Sequence, residues 1–202
     1  WSFEIIVSDT DESLLPDESP RDYVRRLAVE KARASSARAD ASQVILAADT
    51  TVVDRDSVLG KPTDPTDARR MLRQLRGHVH QVYTGIALLR LRDGNLLTDV
   101  CVTDVPMRTY SDEEIEAYVA TGDPLDKAGA YAIQHADFQP VEMMQGCYAS
   151  VMGLPLCHVT RLLKQMDMAQ HANVPDNCQS LLNYECPVYA GILHGNLTVE
   201  RK

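Results

Sequence analysis

The sequence predicts an α/β fold: a mixed, twisted central sheet flanked by helices. Three observations lead there. β-Branched and aliphatic runs alternate with capped, amphipathic stretches. One pair of apolar runs is joined by Asp93-Gly94, the signature of a β-hairpin, so part of the sheet is antiparallel. The most apolar run, Val44-Ile45-Leu46-Ala47-Ala48, ends on a carboxylate, Asp49.

Taken in order, Phe3-Glu4-Ile5-Ile6-Val7 reads as a strand, followed by an acid-rich loop through Asp11, Glu12 and Ser13. Ser19-Pro20-Arg21-Asp22 opens a helix, with a capping side chain, proline in the first turn and an acid behind it. Tyr23, Val24, Leu27, Ala28, Lys31 and Ala34 lie near one face of that helix, which puts a lysine among apolar neighbours. After Val44–Ala48 a second β-branched run is expected to leave Asp49 at a turn, with Lys61 on the following Gly60-Lys61-Pro62 loop. Asp64-Pro65 starts a helix with Ala68, Met71, Leu72 and Leu75 as its stripe, ended by Gly77. Residues 78–92 and 96–108 form the hairpin, and Ser111-Asp112-Glu113-Glu114 is a capping box. Short strand-like pieces follow near Ala132 and Glu142, then a last amphipathic helix over residues 156–168. Residues 169–202 have no clean period, so the chain divides into a unit of residues 1–168 and a C-terminal extension.

Composition narrows the partners. Of 202 residues, 45% are apolar and 24% charged, as in ordinary globular chains. A net charge of −9 disfavours a nucleic-acid backbone, and no apolar run approaches the roughly 20 residues that span a bilayer. Five cysteines without C-x-x-C spacing suit a reducing, cytoplasmic setting.

The acids of the first loop, Glu12 among them, and Asp49 each follow a predicted strand. On neighbouring strands they would meet at one sheet edge and offer oxygens to Mg²⁺ or Mn²⁺. Asp9-Thr10-Asp11 weakly resembles a D-x-D metal motif or a phosphatase nucleophile loop. Gly60-Lys61-Pro62 is no P-loop, lacking the upstream glycine and the following hydroxyl. His78 and His80 are expected at the surface or a sheet edge, with no acid or cysteine near in sequence to complete a metal site. No Ser-His-Asp set or G-x-S-x-G elbow appears, which argues against an acyl hydrolase.

A set of ordered strings then resembles one family. They are Leu27-Ala28-x-x-Lys31-Ala32, Ala48-Asp49-Thr50-x-Val52, Gly60-Lys61-Pro62, Ala68-x-x-Met71-Leu72-x-x-Leu75-x-Gly77 and His80-Gln81-Val82-x-Thr84. To these add the run from Tyr118 through Pro124-Leu125-Asp126-Lys127-Ala128-Gly129-Ala130-Tyr131, and Val151-x-Gly153-Leu154-Pro155-Leu156. Together they resemble the Maf nucleotide pyrophosphatases. The resemblance implies a cleft in a Maf-like sheet and hydrolysis of a nucleoside triphosphate to monophosphate and pyrophosphate with a divalent cation. It assigns Asp49 as proton acceptor, with Glu12, Lys31, Lys61 and Gln134 as further site positions and Glu12 and Asp49 toward the metal. Thr50 and the Ala128-to-Gln134 string look like the branch acting on dTTP and UTP. The amide of Gln134 both donates and accepts, as a uracil or thymine edge would require. A Ser-x-Ser-Pro-Arg-Arg loop and the strand before it are expected upstream of Trp1. The family also leaves open a silent nucleotide-binding regulator of septum formation, or a preference for 7-methyl-GTP or CTP. The expected partner is a small nucleotide, and a homodimer is compatible with the sequence.

Overall fold

The computed structural model describes residues 3–55, 57–168 and 172–195. Helix α1 (Pro20–Ser36) opens where Ser19 accepts a hydrogen bond from the Asp22 amide. Strand β1 (Val44–Asp54) turns into a short β2 (Ser57–Leu59), and α2 (Pro65–Leu75) follows, capped by Asp64. Strands β3 (Val79–Arg90) and β4 (Asn95–Pro106) form the predicted hairpin. Helix α3 (Asp112–Ala120) carries the full Ser111/Glu114 capping box. Two 3₁₀ turns (Asp123–Asp126 and Ala128–Ala130) lead to α4 (Tyr148–Val151), α5 (Leu156–Gln165), α6 (Val174–Leu182) and α7 (Tyr189–Leu193).

The sheet has the order β2-β1-β3-β4, and each neighbouring pair is antiparallel. Helices flank it as expected, but the alternation of strand and helix had predicted a mixed sheet. The described strands are instead joined by hairpins and by one excursion through α2, which returns antiparallel. β1 is longer than expected and runs straight through Asp49, so that carboxylate sits mid-strand and not at a turn. Residues 3–15 have no regular structure. Phe3, Ile5 and Val7, predicted as strand, are about four-fifths exposed and have no ladder partner among the described residues. A β-branched run becomes a strand only where a neighbouring backbone accepts its hydrogen bonds. The strand-like run near Ala132 is likewise turn, and Val141 makes only a single bridge to Met107.

Both sheet faces are covered. On one, Ala28 and Ala32 of α1 pack on Ala87, flanked by Ile45, Ala47 and Leu89. On the other, Val159, Leu162 and Leu163 of α5 pack on Ile86 and Leu88. Beyond the end of the sheet, α2, α3 and the 3₁₀ turns enclose Leu72, Tyr110, Ile115, Tyr118 and Phe138. Arg69, Arg73 and Arg76 bind Glu116 and Asp112 of α3. His80 is not at the surface: it is buried against the Tyr131 hydroxyl at 2.8 Å, and burial lowers its pKa to about 4, so it is neutral at pH 7. His78 does find an acid, Asp54, at 2.9 Å across the sheet.

The extension is part of the packed structure, although its sequence lacks a period. Ile192 is buried and its carbonyl accepts from Arg161 of α5 at 3.1 Å. The Tyr184 hydroxyl donates to the carbonyls of Met144 and Gly146. Short helices anchored by single side chains leave too few turns for an amphipathic pattern to register.

α1 can lie this close to the sheet because β3 carries Gly85 beneath it. A Cβ at that position would stand 2.3 Å from the Val24 carbonyl oxygen and 2.8 Å from the Arg25 amide nitrogen. Backbone of a packed helix cannot yield as a flexible side chain would. Gly85→Ala is therefore expected to destabilise the protein by about 1–3 kcal/mol, read as a lower urea midpoint at unchanged slope.

Candidate active site

β2 pairs with β1 only at Val52, Val53 and Asp54, so the outer edge of β1 from Val44 to Thr51 meets no strand among the described residues. A cleft of about 290 Å³ lies over this open edge, walled by β1, α1, the Lys61 loop, residues 126–134 and residues 151–153. Asp49 lies directly across from Gly85 in the ladder, on the face that α1 covers. Lys31, three turns into α1, reaches it with Nζ 2.6 Å from Oδ1. The same ammonium stands 2.7 Å from Oε1 of Glu12. Tyr23, in the first turn of α1, holds the Glu12 segment by donating to its carbonyl oxygen at 2.7 Å.

One cation thus lies between two carboxylates of different exposure. Asp49 is 8% exposed, and the loss of hydration raises its pKa above the ordinary aspartate value in spite of Lys31. Glu12 is open to solvent, and its hydrogen bond to Lys31 lowers its pKa. Burial opposes the charge on Lys31, yet Asp49 and Glu12 outweigh it and raise its pKa, so it stays an ammonium. The more basic carboxylate is the buried one, facing the cleft. Lys61 adds positive field that favours ionisation of both acids.

The opposite wall is carried by residues 123–134. Gly129, at φ +69°, lies so near β1 that a Cβ would be 2.8 Å from a Val52 methyl, and its amide donates to the Gly60 carbonyl at 3.0 Å. This ties the Lys61 loop to the wall. Tyr118 stacks on Phe138 with centroids 4.3 Å apart, donates to Asp123 at 2.7 Å and accepts from the Ala132 amide at 3.0 Å. Gln134 follows, exposed at the rim. Thr50 points to the other sheet face from Asp49, since successive strand residues alternate. Its hydroxyl lies 2.9 Å from that of Thr84, which donates to the Ser150 carbonyl at 2.8 Å.

All the residues singled out in the sequence, Glu12, Lys31, Asp49, Thr50, Lys61 and Gln134, line this one cleft. Asp9 and Asp11, the weak D-x-D signal, do not line it, and Asp11 is turned onto Ser13. The structure adds Tyr23 and Lys127, which were not singled out as site residues, with the buried Thr84 behind Thr50. Lys127 is paired with Asp123 and Asp126 at 3.0 and 2.6 Å. A lysine amid acids and a tyrosine in a first helical turn carry no local signal of a shared cleft. Two hard carboxylates beside one ammonium suit Mg²⁺ or Mn²⁺, which need few protein oxygens when phosphates supply the rest. Among the described residues no group of three or more His, Cys, Asp or Glu is arranged for a metal.

The chain is 48% identical over 165 residues to a dTTP/UTP pyrophosphatase of Geobacter sulfurreducens, covering 81% of this chain and 85% of that protein. It is 45% identical to one of Geotalea uraniireducens, covering 81% and 84%, and 46% identical to one of Escherichia coli O157:H7, covering 82% and 83%. Residues 1–166 match the family described as Maf-like protein, which ends where α5 does and leaves α6 and α7 outside it. A carboxylate raised by burial and set on a helix-borne ammonium therefore sits inside the part of the sequence those proteins share, and this chain belongs to the Maf family.

Proposed function

We propose that the protein is a nucleoside triphosphate pyrophosphatase that hydrolyses dTTP and UTP to the monophosphate and pyrophosphate, in the cytoplasm, as a house-cleaning enzyme. The observation that carries this is the Lys31 ammonium held 2.6 Å from buried Asp49 at a cleft that also receives Lys61 and Lys127. The names borne by relatives at 45–48% identity supply the base preference. Five thiols with no disulfide among them fit a reducing compartment.

In this reading Asp49 accepts the proton of the attacking water. Its raised pKa makes it a better base than a solvated aspartate. Lys31 holds the carboxylate in place and, with Lys61, offsets the charge that gathers on the phosphate oxygens as the α–β anhydride bond breaks. Lys127 lies on the same wall and adds to that field. Glu12 and Asp49 would hold a Mg²⁺ or Mn²⁺ ion, which supplies further neutralisation of the triphosphate. Thr50 and Gln134 would bind the base and sugar, the Gln134 amide pairing with a uracil or thymine edge.

Three outcomes follow from these roles. Asp49→Asn keeps the shape and removes the base, so pyrophosphate release from dTTP should fall by about 10²–10⁴-fold. Undiminished turnover, or nucleotide binding with no turnover by the unmutated protein, would overturn the assignment. Because the base must be ionised and its pKa is raised, kcat/KM should decline on the acid side at a pH above the ordinary carboxylate range. In Lys31→Met that limb should move higher still, since burial would then act on Asp49 with one less cation to oppose it. Gln134→Leu should raise KM for dTTP and UTP by about tenfold or more against purine triphosphates, checked with a panel of substrates.

A further inference from the structure

Away from the cleft, the cysteines converge. Cys101 of β4 and Cys147, the residue that precedes α4, are buried in one small cluster with Ala149, bordered by Cys178, Leu182 and Val188 of the extension. Cys101 and Cys147 also line a solvent-connected groove with His158 and Thr103, beside Arg21 and Gln145. Cys147 and His158 stand beside Cys101 on this wall, and the Thr103 hydroxyl lies 3.8 Å from the Cys101 sulfur. His158 is in turn held by Asp99, with Nδ1 2.8 Å from the carboxylate, and Asp99 also binds Arg161. Two thiols and an imidazole thus share one wall of an open groove, with the acid that orients the imidazole held against it. The proposed hydrolysis uses none of them.

We propose that Cys101 and Cys147 form a hydroperoxide-reactive dithiol site, Cys101 the attacking sulfur and Cys147 the resolving one, whose oxidation bridges β4 to the start of α4. The charges support this order. Burial opposes the charge on His158, but Asp99 and the Cys101 sulfur outweigh it and raise its pKa to about 9. Cys147 and His158 lower the pKa of Cys101, whereas Cys101 and burial raise that of Cys147. Of the two thiols, Cys101 therefore gives up its proton more readily to form the thiolate that attacks peroxides.

The chemistry balances without a cofactor. The Cys101 thiolate attacks one peroxide oxygen, the O–O bond breaks, and sulfenic acid forms as the sulfur is oxidised and the peroxide reduced. His158 gives its proton to the departing oxygen, which leaves as alcohol or water. The Cys147 thiol then attacks the sulfenic sulfur, an S–S bond forms, and neutral His158 relays the thiol proton to the departing hydroxide, which leaves as water. The bridge would restrain α4, whose Ser150 carbonyl holds Thr84 and whose following residues, Met152 and Gly153, line the nucleotide cleft.

The test treats the full chain with substoichiometric hydrogen peroxide and maps the products by mass spectrometry. The expected result is one bridged peptide pair, Cys101 with Cys147, formed about tenfold or more faster than any modification of Cys157, Cys178 or Cys186. Cys147→Ser should stop at a Cys101 sulfenic acid that dimedone traps, and His158→Gln should slow the first step by about tenfold. Hydrogen exchange of residues 148–153 should slow in the bridged protein and recover with dithiothreitol. Oxidation at the extension thiols first, or a bridge other than Cys101–Cys147, would overturn the site. A bridge that leaves exchange in residues 148–153 unchanged would overturn its reach to the cleft. None of these readouts depends on nucleotide hydrolysis, so failure of that reading would be seen separately.

Discussion

The close seating of α1 on β3 is the constraint on which the cleft depends. A side chain at Gly85 would meet the backbone of Val24 and Arg25, so the helix can occupy its place only over a residue with none. The same register sets Asp49 directly beside Gly85. A helix lying on a glycine reaches low enough for a lysine stem to cross its own apolar face and put an ammonium on a buried carboxylate. A missing methyl group thus determines an electrostatic arrangement.

That arrangement separates two acids that would be alike in water. Asp49 and Glu12 share the Lys31 ammonium, but only Asp49 has lost its hydration. Burial raises one pKa, and the hydrogen bond from lysine lowers the other. The two carboxylates therefore differ in basicity although they share one cation. The cation stays charged because two anions outweigh its burial.

The far wall of the cleft is rigid for a different reason. Residues 123–134 have little regular structure beyond two 3₁₀ turns, and the chain there is fixed by Tyr118, by Gly129 against Val52 and by the Gly129–Gly60 hydrogen bond. The hydrogen bonds among these satisfy backbone and hydroxyl groups that burial would otherwise leave without a partner. Lys61 and Gln134, on loops separated in sequence, are carried to one opening. The thiol groove lies behind the same α4 segment that completes the cleft, so the two regions share a wall.

Much of this was legible in the residues themselves. Caps at Ser19, Asp64 and Ser111, and the turn at Asp93-Gly94, are local hydrogen-bonding and backbone rules that act wherever they occur, and each element starts or turns where they stand. The site residues emerged from ordered strings shared with a family, and Lys31 was conspicuous by its place on an apolar face. Other features depended on neighbours far away in the chain. Whether residues 3–7 form a strand is decided by whether a backbone lies alongside, which no run of β-branched residues contains. Likewise the depth of Asp49 within β1, the burial of His80 on Tyr131, the anchoring of the extension and the meeting of Cys101 with Cys147 arise from contacts between residues far apart in the chain. Sequence by itself determined where elements begin and which side chains have the chemistry; tertiary structure decided which of them lose water and meet, because desolvation and contact belong to the packed chain alone.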